Sequence, residues 1–237
     1  MCRMILGAGE FDSNVLIDDF ITMASDRNEK HEHNIDKEFK HGDGWGIAYL
    51  DNGFLSVHKS ADSCYEDERI NEFRELNTPL LLMHARRGSK GVRKLENVHP
   101  FRAKDHVFFH NGTVKEPLHF NNDYQPHGET DSEQLLYYLL STNEPIISIN
   151  SLAERLDKIN NYSGMNTLLS DGRVTYVTNW FAYNPNYYTM KLLRTVKFVL
   201  ISSEVLPGYK DYAWERLANR TILRVETNGL MVESRTY

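Results

Sequence analysis

Hydrophobic and polar positions alternate over short runs through most of the chain. The runs 45–49, 55–58, 80–84, 106–109, 167–170, 174–179, 198–202 and 221–226 carry the period and residue types of β-strands. Turn residues separate most of them, as in antiparallel sheets. Three other segments repeat at helical spacing: 14–24, 131–141 with Leu135, Leu136, Leu139 and Leu140 on one face, and 151–159 with Leu152, Leu156 and Ile159. Each of these helices can cover a sheet. Thr130 followed by Glu133 has the spacing of a capping box, which predicts Asp131 in the first helical turn, near the positive end of the helix dipole. The most polar stretch, 26–40, reads as an exposed loop.

No internal repeat, low-complexity tract or Pro/Gly/Ser-rich linker divides the pattern, so a single domain over 1–237 is the simpler expectation. At 237 residues, 41% hydrophobic and 25% charged, the composition is that of a globular protein with a sizeable core. A formal net charge of −6 offers no basic field for nucleic acid. Two cysteines, Cys2 and Cys64, make no disulfide framework and suit a cytoplasmic location. The first residues lack the basic and apolar regions of a signal peptide, and no apolar run is long enough to span a bilayer.

Cysteine directly after the initiator Met is the most informative local feature. A small second residue permits removal of Met1, leaving thiol and α-amine on one residue. An α-amine with an ordinary pKa of about 7.7 to 8.0 can take the thiol proton near neutrality, and the thiolate is the attacking form. By itself the position is weak evidence, since Cys can follow Met by chance.

Other segments add to it. The run 80–89 reads as a buried strand delivering Arg86 and Arg87 at its end, where Arg86 could grip a carboxylate bidentately; a surface arginine pair in a salt bridge would explain the segment as well. His84 reads as a hydrogen-bonded structural histidine. An apolar strand ends in Asn111-Gly112, the pattern of a tight hairpin turn, while an Asn amide and a glycine N–H can also donate to one developing oxyanion. Asp131 could pair with a substrate ammonium, although capping alone accounts for the acidic residues 129–133. The glycines of 41–49 lack the Lys-Ser/Thr ending of a phosphate loop and suit close backbone approach, with Trp45 packing below. His31, His33 and Asp43 match no metal-site spacing, and no metal is expected.

In order along the chain, Met1-Cys2-Arg3, His41-Gly-Asp-Gly-Trp-Gly-Ile-Ala-Tyr49, His84-Ala-Arg86, Asn97-Val-His99-Pro100-Phe101, His110-Asn111-Gly112 and Gly128-Glu-Thr-Asp131-Ser-Glu133 resemble the class II glutamine amidotransferase family. The likeness is greatest to its small single-domain branch of amidotransferases and γ-glutamyl amidohydrolases. Segments 166–172 and 201–208 with Trp214 extend it through most of the chain.

The resemblance implies an α+β fold, a four-layer αββα sandwich of the N-terminal-nucleophile hydrolase type with two antiparallel sheets. It also implies hydrolysis of the γ-glutamyl amide of glutamine or a γ-glutamyl compound through a Cys2 thioester. Cys2 would be nucleophile and its α-amine the base; Asn111 and Gly112 would bind the oxyanion. Arg86 would hold the substrate carboxylate and Asp131 its ammonium. No cofactor is implied; a separate synthase could accept the ammonia. Synthase-linked members usually read His-Thr-Arg-Trp-Ala-Thr-His-Gly where this chain has His84-Ala-Arg86-Arg87-Gly88-Ser89-Lys90-Gly91. The added charges suggest a donor other than free glutamine. A catalytically silent regulatory or assembly subunit is the alternative reading.

Overall fold

The computed structural model of the chain describes residues 2–89, 91–141 and 147–237. Along the chain run β1 (Cys2–Gly9), α1 (Ser13–Ala24), β2 (Trp45–Asp51), β3 (Phe54–Ser60), β4 (Leu80–Arg86), β5 (Phe101–Ala103), β6 (His106–Val114), α2 (Asp131–Leu140), α3 (Ile149–Leu156), β7 (Tyr162–Ser170) and β8 (Val174–Asn179). After them come α4 (Pro185–Tyr188), β9 (Lys191–Arg194), β10 (Phe198–Ser202), β11 (Glu215–Arg216), β12 (Thr221–Glu226) and β13 (Val232–Thr236). One sheet has the order β11-β9-β10-β1-β4-β2-β3, the other β13-β12-β8-β7-β6-β5. The strand pairs are antiparallel.

Three apolar clusters divide the molecule into four layers. Helix α1 covers the outer face of the first sheet through Leu16, Ile17 and Phe20 against Ile5, Leu81 and Met83. Helices α2 and α3 cover the second sheet through Leu135, Leu139, Leu152 and Leu156 against Phe108, Leu169 and Ile222. Met4, Leu6, Leu80 and Leu82 of the first sheet meet Phe109, Leu168 and Val177 of the second in the layer between. Burying each such side chain contributes about 1.5–3 kcal/mol. The fold is therefore an αββα sandwich with antiparallel sheets, as expected.

Strand phase then decides where the chemistry faces. Side chains two apart share a face, so Cys2 lies in phase with Met4 and Leu6, His84 and Arg86 with Leu80 and Leu82, and Asn111 with Val107 and Phe109. All four point into the layer between the sheets, at one end of it. His110, in phase with Phe108, turns instead toward α2.

Every strand and helix read from periodicity is present. Periodicity does not mark β1, nor the short or edge strands β5, β9, β11 and β13; β1 is buried along its length, and Arg3 within it is neutralised by Glu204 at 2.7 Å. The hairpin reading of Asn111-Gly112 is overturned. Both lie within β6, paired with Asn166 and Met165 of β7, and the register shifts only between Gly112 and Val114. The irregular stretch 26–40 is not simply exposed, since His31, Asn34 and Phe39 are buried.

Candidate active site

Cys2 opens β1, and its main-chain nitrogen donates to Asn111 Oδ1 of the opposite sheet at 2.7 Å. Its Cα partner on β4 is Arg86. Cys2 is 4% exposed, so the thiol looks onto a cavity rather than onto bulk solvent. That cavity is lined by Cys2, Arg86, Arg87, Gly88, Ser89, His99, His110, Gly112, Thr130, Asp131 and Ser132. Four of the five residues expected from the sequence thus line one cavity, and the fifth, Asn111, holds the Cys2 nitrogen. The cavity has a volume of about 20 Å³, room for a single water. An amino-acid donor requires its lining to part. A much larger cavity, about 560 Å³, lies near Phe54, Arg102 and Asp171 and includes none of these residues.

Asn111 is 1% exposed. Its Oδ1 is engaged by Cys2, while its Nδ2 is buried without a partner. A buried amide donor beside a thiol is costly unless something transient uses it. Gly112 follows because nothing larger fits: a Cβ there would stand 1.8 Å from the Gly164 carbonyl oxygen.

Helix α2 brings Asp131 to the same place. Thr130 caps it, its hydroxyl accepting from the Glu133 nitrogen at 3.3 Å. The reciprocal half of the capping box is missing, because the Glu133 carboxylate accepts instead from the nitrogens of His127 and Gly128. Asp131 does occupy the first turn; its Oδ2 accepts from the Val114 nitrogen at 2.7 Å, just past the irregularity in β6. His110 ties the two elements together: Nε2 donates to Gly164 O at 3.1 Å, so Nδ1 is the acceptor for Ser132 Oγ–H at 2.9 Å.

Arg86 is buried, which removes the surface-pair reading. Its guanidinium donates to the carbonyls of Gly91 at 3.1 Å and Asp43 at 3.4 Å. Arg87 also lines the cavity; its guanidinium lies 3.9 Å from the centre of the Phe39 ring, and Nη1 donates to Lys40 O. Lys90 and Met1, both invoked in the sequence reading, lie outside the described residues. The glycines of 41–49 act as expected, since a Cβ on Gly46 would stand 2.0 Å from His99 O. Trp45 packs below them, fully buried.

The thiol's surroundings favour ionisation. Burial alone pushes it up, but the positive amino terminus, His84 and the Arg87 backbone N–H outweigh burial and bring the Cys2 thiol down to about 6. Burial pushes the Cys64 thiol up instead. His84 Nε2 donates to His110 O at 3.2 Å. His99 lies against it, ring centres 3.9 Å apart, and burial holds His99 well below its ordinary value.

The family description "Glutamine amidotransferases class-II" matches residues 19–190. The chain belongs to this family. The match takes in Arg86, Asn111, Gly112 and Asp131 and begins after Cys2. An uncharacterized protein of Methanocaldococcus jannaschii, MJ1515, is 33% identical over 57% of this chain and 42% of its own length. YafJ of Escherichia coli K12, provisionally assigned as a glutamine amidotransferase, is 26% identical over 64% of this chain and 65% of its own. The chain thus matches less than two thirds of either relative.

Solved structures of the class share the fold. A class-II glutamine aminotransferase domain protein from Silicibacter pomeroyi superimposes with a TM-score of 0.63 at 16% identity, over 100% of this chain and 99% of that one. Glutamine phosphoribosylpyrophosphate amidotransferase from Bacillus subtilis gives 0.66 at 15% identity, over 98% of this chain and 49% of that one. The sandwich is therefore the N-terminal-nucleophile type of this class II family. Among the described residues no helix is long and apolar enough to cross a membrane.

His84, which reads as a hydrogen-bonded structural histidine, is buried and bonds His110 O. One residue beside Cys2 has no counterpart in the sequence reading of this amidotransferase chain. Tyr187, whose hydroxyl donates to the Cys2 carbonyl at 3.0 Å, lies 185 positions away and has no local signal.

Proposed function

We propose that the chain hydrolyses the γ-glutamyl amide of glutamine or of a γ-glutamyl compound through a thioester on Cys2, releasing glutamate and ammonia or an amine. The observation that carries this reading is the cavity shared by Cys2, Arg86, Gly112 and Asp131, with the unpartnered Asn111 amide beside the nucleophile.

With Met1 removed, the α-amine of Cys2 takes the thiol proton, and Sγ attacks the γ-carbonyl carbon. The oxyanion receives the Asn111 Nδ2–H and the Gly112 N–H; as the C–N bond breaks, the ammonium returns its proton to the leaving nitrogen. Water, deprotonated by the amine, then splits the thioester and restores the thiol. Arg86 exchanges its carbonyl partners for the donor's α-carboxylate, a charge-assisted bidentate bond of greater strength. Asp131, whose Oδ2 is held by Val114, offers Oδ1 to the α-ammonium.

Arg87 at the cavity wall favours a donor whose leaving group carries negative charge. A separate synthase as ammonia acceptor is the version of the reading in which free glutamine is preferred. The test is glutamate release from glutamine and a panel of γ-glutamyl peptides by Met1-free protein and by Cys2→Ala. Release lost in Cys2→Ala supports the chemistry, and the best donor separates amidotransferase from self-sufficient hydrolase. Activity surviving in Cys2→Ala, or no release by the unaltered protein, defeats the reading and favours a silent subunit.

A further inference from the structure

We infer that Tyr187, backed by His41, is a positioning residue for the nucleophile: its hydroxyl holds the Cys2 carbonyl and so keeps the first residue of β1 aimed into the cavity. The inference rests on the proposed role of Cys2.

Strand geometry shows why such a hold is needed. In an antiparallel strand the N–H and C=O of one residue point to the same edge, and residues two apart share that edge. The edge of β1 that carries Met4 and Cys2 is the one facing β10, yet the β10 register begins only at Ile5, opposite Ser202. Side chains and a turn take over beyond it. Met4 N donates to Ser203 Oγ at 2.9 Å and Met4 O accepts from Ser203 N at 3.0 Å. One step further, Cys2 N reaches Asn111 Oδ1 at 2.7 Å and Cys2 O accepts from Tyr187 Oη at 3.0 Å. A strand end would otherwise fray. Here it is fixed at both main-chain groups, which sets the torsions that direct amine and thiol.

Tyr187 is itself built in. Its nitrogen donates to Glu32 Oε2 at 2.9 Å, the Arg3 guanidinium lies 4.3 Å from its ring centre, and His31, His33 and Phe39 meet the ring edge to face. His41 Nε2 stands 3.1 Å from the hydroxyl. Because that hydroxyl spends its proton on Cys2 O, His41 must donate, which requires the Nε2–H tautomer. Burial keeps both groups in the needed state: it holds His41 neutral, well below its ordinary value, and pushes Tyr187 well above its own. Neither role follows from packing alone, since Phe would fill the same space.

The experiment compares Tyr187→Phe with Tyr188→Phe in Met1-free protein. Tyr188 is equally buried, but its hydroxyl donates to Ser163 Oγ at 3.0 Å and not to the Cys2 carbonyl. Tyr187→Phe is expected to lower kcat at least about tenfold while KM moves less than about twofold, the signature of a misplaced reacting group. The pH midpoint of Cys2 alkylation by iodoacetamide should also rise toward the free-thiol range of about 8.5. Tyr188→Phe should match the unaltered protein in both.

Unchanged kcat and unchanged midpoint in Tyr187→Phe overturn the inference. The alkylation midpoint needs no donor, so it tests the hold even if the proposed reaction is wrong. Should Tyr187→Phe not fold, His41→Gln, which can still place an N–H on the hydroxyl, should be clearly more active than His41→Leu; equal activities overturn the inference as well.

Discussion

Cys2 and Asn111 stand 109 positions apart and in different sheets, yet the nitrogen of one donates to the side-chain oxygen of the other at 2.7 Å. The bond spans the layer between the sheets at the open end of its apolar packing. It also orients the amide: with Oδ1 committed to Cys2, Nδ2 is the only donor Asn111 has left, and it is buried without a partner.

The two ends of that amide can be tested separately. Asn111→Asp retains an acceptor for the Cys2 nitrogen but has no donor and brings negative charge to where the oxyanion develops. Asn111→Ala loses both. Each is expected to lower kcat by about 10²–10³, the cost of an oxyanion donor, with Asn111→Asp the worse of the two despite keeping the anchor. Steady-state glutamate release decides it; an Asn111→Asp enzyme with near-normal kcat would assign Asn111 a purely structural role.

Gly112 is expected to tolerate no side chain. Because a Cβ would stand 1.8 Å from Gly164 O, Gly112→Ala must push β6 and β7 apart. The expected cost is about 3 kcal/mol or more, read as a lower melting temperature, with activity lost in the fraction that stays folded. A melting temperature equal to that of the unaltered protein would show that the strands can separate freely here.

Short apolar runs revealed strands such as β4, β8 and β10 although both of their faces are buried, the helices show one apolar stripe, and Leu135, Leu139 and Leu152 lie where their spacing put them. Such a run does not mark β1, where the charged Arg3 interrupts the apolar stretch and is neutralised by Glu204, a partner 201 positions away. Asn111-Gly112 was misread as a turn for a related reason: that dipeptide does favour turns, but here β7 pairs along it and the glycine is demanded by Gly164. Arg86 and Asp131 were legible as a strand end and a helix start. Tyr187 and the buried placement of His31 and Phe39 were not, because nothing local marks a residue that becomes useful only when a distant loop folds over a strand terminus.

The thiol should report its environment directly. With Cys2 brought down to about 6, its thiolate fraction is largely complete above pH 7 and falls as pH drops through that value. Iodoacetamide should therefore label Cys2 half-maximally near pH 6, while Cys64, whose thiol burial pushes up, stays unlabelled in the folded protein. Peptide mapping of labelled protein across pH 5–9 measures both. Labelling of Cys2 with a midpoint in the ordinary range of about 8.5 would mean that burial prevails over the charges around it.

Asp67 carries a separate prediction about stability below the first sheet. Its carboxylate accepts from Trp45 Nε1 at 2.9 Å, Ser60 Oγ at 2.6 Å and Arg69 Nε at 2.8 Å. Burial raises its pKa, but these bonds, Arg69 foremost, hold it below the usual carboxylate range. A depressed carboxylate stabilises the fold above its unfolded value, about 3.9, and loses that contribution as pH falls through the folded value. Asp67→Asn should cost about 2 kcal/mol at pH 7, and its melting-temperature deficit should shrink below about pH 4. A deficit independent of pH would point to packing rather than charge.

Arg86 and Asp131 are expected to act on donor binding, and the structure sets the substitutions that isolate this. Arg86→Lys keeps a cation at the end of β4 but loses the planar fork, so KM should rise about tenfold or more with a smaller change in kcat. Asp131→Asn keeps an oxygen for the Val114 nitrogen and removes only the charge, so it too should raise KM while the melting temperature holds. Asp131→Ala loses the Val114 bond as well and should lower both. If Arg86→Lys and Asp131→Asn changed kcat alone and left KM untouched, the donor would not be held by its amino-acid end, and the γ-glutamyl reading would have to give way to an amide recognised through its acyl chain.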